Sequence, residues 1–179
     1  LASSAASDVY KRQVYIYNHS DRDLTDYLIR LEKAIDNPSV KVVQCKTVEE
    51  LVRASEIIFT TTPAKEPVLP NDKEMLRGKC IIAIGSYTPD MREIPDAIWN
   101  LVERVYIELP YACEESGDLS QPLAEGRLKK AQTVLMSDYL AEDPREITDT
   151  GETTYFKSVG MGLFDVCVAQ KILEMTKER

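Results

Sequence analysis

From Val14 onward, short apolar runs alternate with amphipathic stretches, an order that predicts strands interleaved with helices. Val14-Tyr-Ile-Tyr17 is β-branched and aromatic and reads as a strand, closed by the polar turn Asn18-His19-Ser20-Asp21. Ser20 or Asp21 is placed to cap the next helix, whose apolar face is Leu24, Leu28, Leu31 and Ile35 until Asn37-Pro38 stops it. Val40–Gln44 predicts a second strand, and Thr47-Val-Glu-Glu50 is a capping-box pattern opening a short helix toward Ala54. Glu56–Thr60, Lys79–Ile84 and Arg104–Glu108 predict three more strands, with a short helix around Ala97–Leu101 ahead of the last.

Beyond Pro110 the texture changes. Pro110–Ser116 predicts a short helix ended by Gly117-Asp118, Leu128–Leu140 is weakly helical at best, and residues 141–151 read as a polar loop. Thr153–Phe156 predicts one more strand. A long helix follows from Leu163 to Thr176, with Phe164, Val168, Ile172 and Met175 spaced as in a helix packed on a core. Near-continuous apolar strands separated by helices imply a mostly parallel sheet covered on both faces. Right-handed crossovers then make it doubly wound and Rossmann-like.

Residues 1–13 stand apart. Leu1–Asp8 is small and polar without a period, too weakly apolar for a signal peptide, and the segment resembles translated adaptor sequence. It reads as a non-native leader, a natural disordered N-terminus being the alternative, and it is set outside the fold argument. The fold is then expected over residues 14–156, with residues 157–179 forming a separate C-terminal helix.

Composition narrows the function. The 44% apolar and 29% charged content suits an ordinary globular chain, with no apolar run long enough to span a membrane. A net charge of −8 argues against binding a nucleic-acid backbone, which needs a basic face. Cys45, Cys80, Cys113 and Cys167 show no CxxC pairing, and the first, second and fourth lie in or beside apolar segments as reduced core residues. With a single histidine, no metal site is expected, and without a visible secretory signal the expected location is cytoplasmic.

A dinucleotide-binding sheet normally carries GxGxxG after its first strand, and here that fingerprint is absent. Val14–Tyr17 is therefore read as the second strand of such a fold. The residue after that strand contacts the adenosine ribose, where a carboxylate accepts from the 2′-hydroxyl of NAD. Here stand Asn18, His19 and Ser20 with Arg22 close by, donors without a carboxylate, which favours NADP over NAD. A plain helix-entry turn is the competing reading. After the third predicted strand, Thr60-Thr-Thr-Pro63 offers hydroxyls and free backbone at a strand's carboxyl end, although taken alone the run is more often ordinary turn chemistry.

The segment Ile81-Ile-Ala-Ile-Gly-Ser-Tyr-Thr-Pro-Asp-Met-Arg-Glu-Ile94 resembles the AxGxxxPDxREL loop of the ornithine cyclodeaminase/mu-crystallin family. Ser55–Leu69 is similar to that family's ADIVxTxTxAxEPVL segment. Gly117-Asp-Leu119 fits its GDL loop, and Thr154–Gly160 its TxFKSxG turn. Four motifs in order cover Val14 to Ile172.

The resemblance implies a homodimeric oxidoreductase of two domains, a Rossmann domain and a substrate and dimerisation domain to which the C-terminal helix returns. It implies hydride transfer between NAD(P) and an amino acid or a cyclic imine. By the same match, Asn18, His19 and Ser20 lie at the ribose, Thr62, Pro63 and Ile84 line the cofactor, and Lys157 and Ser158 approach the nicotinamide. Tyr87 departs from the family, whose cyclodeaminases carry a catalytic Asp there. A phenol is a poor base at neutral pH but can donate a proton or orient a substrate, so imine reduction, or oxidation of another amino acid, suits this site better than ornithine cyclodeamination. Asp90 is the candidate replacement carboxylate, its turn-forming role being the alternative. Lys157 has a solvated role as its alternative. Arg92 and Glu93 are read as surface residues pairing with neighbours, and Trp99 as cover for the core edge.

The expectation is thus a C-terminal portion of such an enzyme, a Rossmann domain incomplete at its N-terminal side. Lacking the glycine loop, it is expected to bind cofactor feebly and not to turn over. A cofactor-dependent small-ligand-binding protein and an inactive truncated product are the alternatives.

Overall fold

The computed structural model describes residues 2–3, 13–20, 22–35, 37–141 and 151–177. In order, the elements are β1 (Ala2–Ser3), β2 (Gln13–Tyr17), α1 (Thr25–Ile35), β3 (Lys41–Gln44), α2 (Val48–Ala54) and β4 (Ile57–Thr60). Then come α3 (Lys73–Leu76), β5 (Cys80–Ala83), a 3-10 turn (Asp96–Asn100), β6 (Val105–Ile107), α4 (Ala112–Glu115) and α5 (Gly117–Ala124). A second 3-10 turn (Lys130–Gln132) leads to β7 (Thr133–Leu135), α6 (Met136–Ala141), β8 (Thr154–Lys157) and α7 (Gly162–Lys177).

The strands form one sheet in the order β3-β2-β1-β4-β5-β8-β6-β7. Every pairing is parallel except those of β1, which runs antiparallel between β2 and β4. The chain therefore builds outward in one direction through β2 and β3 and in the other from β4. The reversal between them is the switch point at which open α/β sheets place ligands. The expected mostly parallel α/β sheet is present.

Strand periodicity assigns the faces. On the first face, Ile58, Ile81, Tyr155 and Val105 stand in register on four adjacent strands and are fully buried. Leu51 and Val52 of α2, Leu76 of α3, Ile98, Ala112 and Cys113 of α4, and Leu119 of α5 complete that core. On the second face, Ile16 of β2 is buried, whereas Phe59, Ile82, Phe156 and Tyr106 are half-buried. There α1 packs against β3, and Tyr139 of α6 meets Tyr106 edge-on at 5.0 Å.

Local entries follow side-chain chemistry. At the entry to α1, Asp23 Oδ1 accepts from the Thr25 amide at 2.9 Å; of the two expected caps, Ser20 is engaged by Asn18 and Asp21 lies outside the described residues. Leu24, Leu28, Leu31 and Ile35 do form its half-buried stripe. At α2, Thr47 Oγ1 accepts from the Glu50 amide at 3.1 Å, and Glu50 reaches back to the Lys46 amide at 2.8 Å, one residue beyond the standard box.

Four expectations are corrected. Gly117 does not end a helix but starts α5, capped by Ser116. Its missing side chain allows close approach, since a Cβ there would lie 2.2 Å from the Met91 carbonyl oxygen. Residues 128–140 contain a strand, β7, too short to show alternation in sequence. Finally, α7 does not pack on this core: Phe164, Val168, Ile172 and Met175 are between 49% and 59% exposed. Cys167 on the same helix is likewise exposed, unlike buried Cys45 and half-buried Cys80, and all four cysteines are free.

Candidate functional site at the carboxyl edge of the sheet

All the strands but β1 point their carboxyl ends toward one edge, and the residues singled out from sequence converge there. Asn18, His19 and Ser20 follow β2, Thr62 and Pro63 follow β4, Ile84, Tyr87 and Asp90 follow β5, and Lys157 and Ser158 end β8. Asn18 Nδ2 donates to Ser20 Oγ at 2.8 Å, and Tyr17 Oη lies 3.4 Å from His19 Nδ1. His19, Ser20 and Arg22 are exposed, and none of Asn18, His19 and Ser20 is a carboxylate.

Across the switch point, Ile84 is 41% and Tyr87 52% exposed, an apolar and aromatic rim on the β5 loop. Leu109 and Tyr111, after β6, extend it and were not singled out from sequence. Pro63 is exposed. Asp90 is occupied: Thr88 Oγ1 donates to it at 2.6 Å and Lys65 Nζ lies 2.7 Å away. The Lys65 hydrogen bond first, then that from Thr88, pulls its carboxyl down to about 2. It stays ionised at neutral pH and ties the β4 loop to the β5 loop.

Lys157 is placed differently from Tyr87. Its side chain is 0% exposed, with Nζ 3.6 Å from Asp118 Oδ2 and donating to the Ala83 carbonyl at 3.3 Å. Ser158 is half-buried, and its Oγ accepts from the Gly160 amide at 3.2 Å.

Beneath the edge lies a buried polar network that sequence reasoning missed. Arg92 does pair with Asp96, although its side chain is only 12% exposed, and Glu93 is fully buried instead of on the surface. Its carboxylate accepts from Thr60 Oγ1, Thr62 N, Thr62 Oγ1 and Gly85 N at 2.6–2.9 Å. Asp118 Oδ1, in the first turn of α5, accepts from the Glu93 and Ile94 amides at 2.7 and 3.0 Å. Burial pushes the Asp118 carboxyl up and the Lys157 ammonium down, in each case outweighing their mutual attraction. Burial, then the Asp118 and Glu93 charges, also raises the neighbouring Tyr155 phenol. The signal in sequence was period two: Lys157 shares a strand face with Tyr155, which becomes interior once β8 is central. Trp99 meets Tyr155 edge-on at 5.9 Å, at the rim of the core as expected.

A dinucleotide-type α/β sheet with donors and apolar rims at its switch-point edge defines the class, and comparison with known proteins gives the family. The chain belongs to the ornithine cyclodeaminase/mu-crystallin family, which it matches over residues 2–179. It is 29% identical over 177 residues to the Delta(1)-pyrroline-2-carboxylate reductase of Bacillus cereus, across 98% of this chain and 52% of that protein. It is 30% identical over 135 residues to the ketimine reductase mu-crystallin of Mus musculus, across 73% of this chain and 39% of that one. A solved structure of Thermococcus litoralis Delta(1)-pyrroline-2-carboxylate reductase, in complex with NADH and L-proline, superposes with a TM-score of 0.74 at 20% identity, over 93% of this chain and 51% of that one. The chain thus spans about half the length of the Bacillus cereus relative. Among the described residues, no helix is long and apolar enough to cross a membrane.

Proposed function

We propose that this chain supplies the dinucleotide-binding edge of an NAD(P)-dependent imine reductase, with NADP(H) favoured and an amino acid or cyclic imine as substrate. The observation that supports it most is the convergence of Asn18, Thr62, Ile84 and Ser158 on the carboxyl ends of parallel strands across the switch point. The donor set fits the ribose end of the cofactor. Asn18, His19, Ser20 and Arg22 offer hydrogen bonds and positive charge to a 2′-phosphate. Thr62, Pro63 and Ile84 would line the rest of the cofactor, and Ser158 the nicotinamide end. The pyrophosphate fits less well, because no glycine precedes Gly78 and so none can follow β1. The chain by itself is therefore expected to bind the cofactor weakly and not to turn over.

When bound, the dinucleotide supplies the hydride, and the protein positions it. Tyr87, exposed at the β5 loop, orients a substrate or donates a proton to its nitrogen. Asp90 contributes loop geometry instead of proton transfer, since Lys65 holds it ionised. The exposed apolar residues of α7 suit a helix that returns to a substrate and dimerisation domain, with a homodimer as the working form.

Titration of the isotopically labelled chain with NADPH and NADH, followed by amide shifts, tests the reading. Shifts confined to Asn18, Ser20, Thr62, Ile84 and Ser158, larger at equal concentration for NADPH, are expected. No shift with either dinucleotide would sink it. A second reading, cofactor-dependent ligand binding without catalysis, is favoured by Tyr87 standing where the family's cyclodeaminases carry an acid. NADPH consumption with a cyclic imine, by a chain extended to the relatives' length, separates the two.

A further inference from the structure

Glu93 touches no surface, yet the end of β4, the loop after it and the start of the β5 loop meet at its two oxygens. An ionised carboxylate offers about four acceptor positions. All are filled: Oε1 takes Thr62 N at 2.6 Å and Thr62 Oγ1 at 2.7 Å, and Oε2 takes Thr60 Oγ1 at 2.9 Å and Gly85 N at 2.8 Å. Thr60 ends β4, Thr62 supplies two donors from the loop after it, and Gly85 stands at the start of the β5 loop. At this point the two backbones touch. A Cβ on Gly85 would lie 2.2 Å from the Thr62 carbonyl oxygen and 2.3 Å from the Thr62 nitrogen.

The network continues downward. The Glu93 and Ile94 amides are held by Asp118 at the start of α5, and Lys157 lies against Asp118 while donating to the Ala83 carbonyl. Thr60, Ala83 and Lys157 sit at one level of three adjacent strands, so the charges lie directly beneath the edge. We propose that Glu93 is a positioning residue, which fixes the spacing of the β4 and β5 loops that receive the dinucleotide and is anchored to β8 through Asp118 and Lys157. The proposal rests on the reading of this edge as the cofactor site, although the bridge between the loops stands without it. Glu93, Asp118 and Lys157 are each fully buried, so any influence on a ligand passes through the loops.

A carboxylate is required because both of its oxygens face a backbone N–H. In Glu93→Gln the amide nitrogen must oppose either Thr62 N–H or Gly85 N–H, donor against donor, whichever way the amide turns. Thr60→Val removes a single hydroxyl from a residue too buried to touch a ligand, and serves as the milder variant.

The test is amide hydrogen exchange on the full 179-residue chain, paired with NADPH titration by amide shifts. In Glu93→Gln, the Thr62 and Gly85 amides should exchange about tenfold faster or more, relative to the amides of Ile81 and Ile82, and the NADPH Kd should rise by a similar factor. Thr60→Val should move both in the same direction by about threefold. Unchanged relative exchange at Thr62 and Gly85 overturns the proposal, as does loosened loops with unaltered affinity. Should Glu93→Gln fail to fold, Thr60→Val decides. Should the unmutated chain show no NADPH shifts, the functional reading fails, and the exchange contrast alone decides the bridge.

Discussion

The two faces of the sheet carry equally apolar residues and meet different fates. On one, Ile58, Ile81, Tyr155 and Val105 are sealed beneath α2, α3, α4, α5 and the first 3-10 turn. On the other, their chain neighbours Phe59, Ile82, Phe156 and Tyr106 are only half-buried, although Ile16 nearby is covered. Strand chemistry does not distinguish the two rows. What differs is where the connections lay their helices: the described residues cover one face fully and the other chiefly at its flanks. The same contrast recurs at α7, whose apolar residues are as regular as any in the chain and yet lie open. Hydrophobic pattern states what a segment can bury, whereas the partner decides what it does bury.

The polar network belongs to the sealed face and should give the largest effect. Asp118→Ala would leave the Lys157 ammonium without its counter-charge and the Glu93 and Ile94 amides without their buried acceptor, at a cost of roughly 3–5 kcal/mol by urea unfolding. A loss near zero would mean that the pair is not buried as described.

Next, the two rows can be weighed against each other within one strand. Ile81→Ala should cost about 3–4 kcal/mol, and Ile82→Ala about half as much, because a half-covered side chain loses fewer contacts and leaves less cavity. Equal losses would break the comparison between faces.

A smaller effect is tied to pH. Burial raises the Asp118 carboxyl above 3.8, so the folded chain holds that proton more tightly than the unfolded chain does. Its ionisation therefore costs stability, a cost absent below pH 3.8 and complete above the folded value. Stability from this residue falls as pH rises through the window just above 3.8. Lys157 mirrors it: lowered from 10.5, it contributes a cost that appears as pH falls from 10.5 through its folded value. In Asp118→Asn this residue's contribution to the acid-side slope should vanish, leaving the opposite slope set by carboxyls that the fold holds low, such as Asp90. Unfolding free energies measured between pH 3.5 and 6 in both chains check this, and an identical slope in the two would refute it.

Smallest of all should be the change at α7. Phe164→Ser together with Ile172→Ser should alter unfolding free energy by no more than about 0.5 kcal/mol, as expected of open positions. A clear destabilisation would show that α7 has a partner surface within this chain.

Much of the fold was legible in the residues themselves. Val14–Tyr17, Ile57–Thr60 and Cys80–Ala83 announce strands by β-branching and by the polar turns that follow. Thr47 and Glu50 announce α2, since a cap is a local bond. The residues expected at the edge were legible because strand ends converge in any doubly wound sheet. Glu93 was not, because the residue after Arg92 in a charged loop looks solvated until Thr60, Thr62 and Gly85 are brought around it from far along the chain. The burial of Lys157 was hidden for a related reason: the TxFKSxG turn places it at a strand end, but only the pairing of β8 between β5 and β6 turns its side chain inward.

What the sequence alone determined is local: where strands and helices begin, which side chains share a strand face, the family to which the chain belongs, and the lack of a glycine loop. Those follow from caps, turns and periodicity, which involve neighbours a few residues apart. Tertiary structure alone decided which face is sealed, that α7 stays open, and that a carboxylate eight residues after Gly85 holds two loops together. Burial and long-range hydrogen bonds depend on which segments come together in space, and no local pattern specifies that.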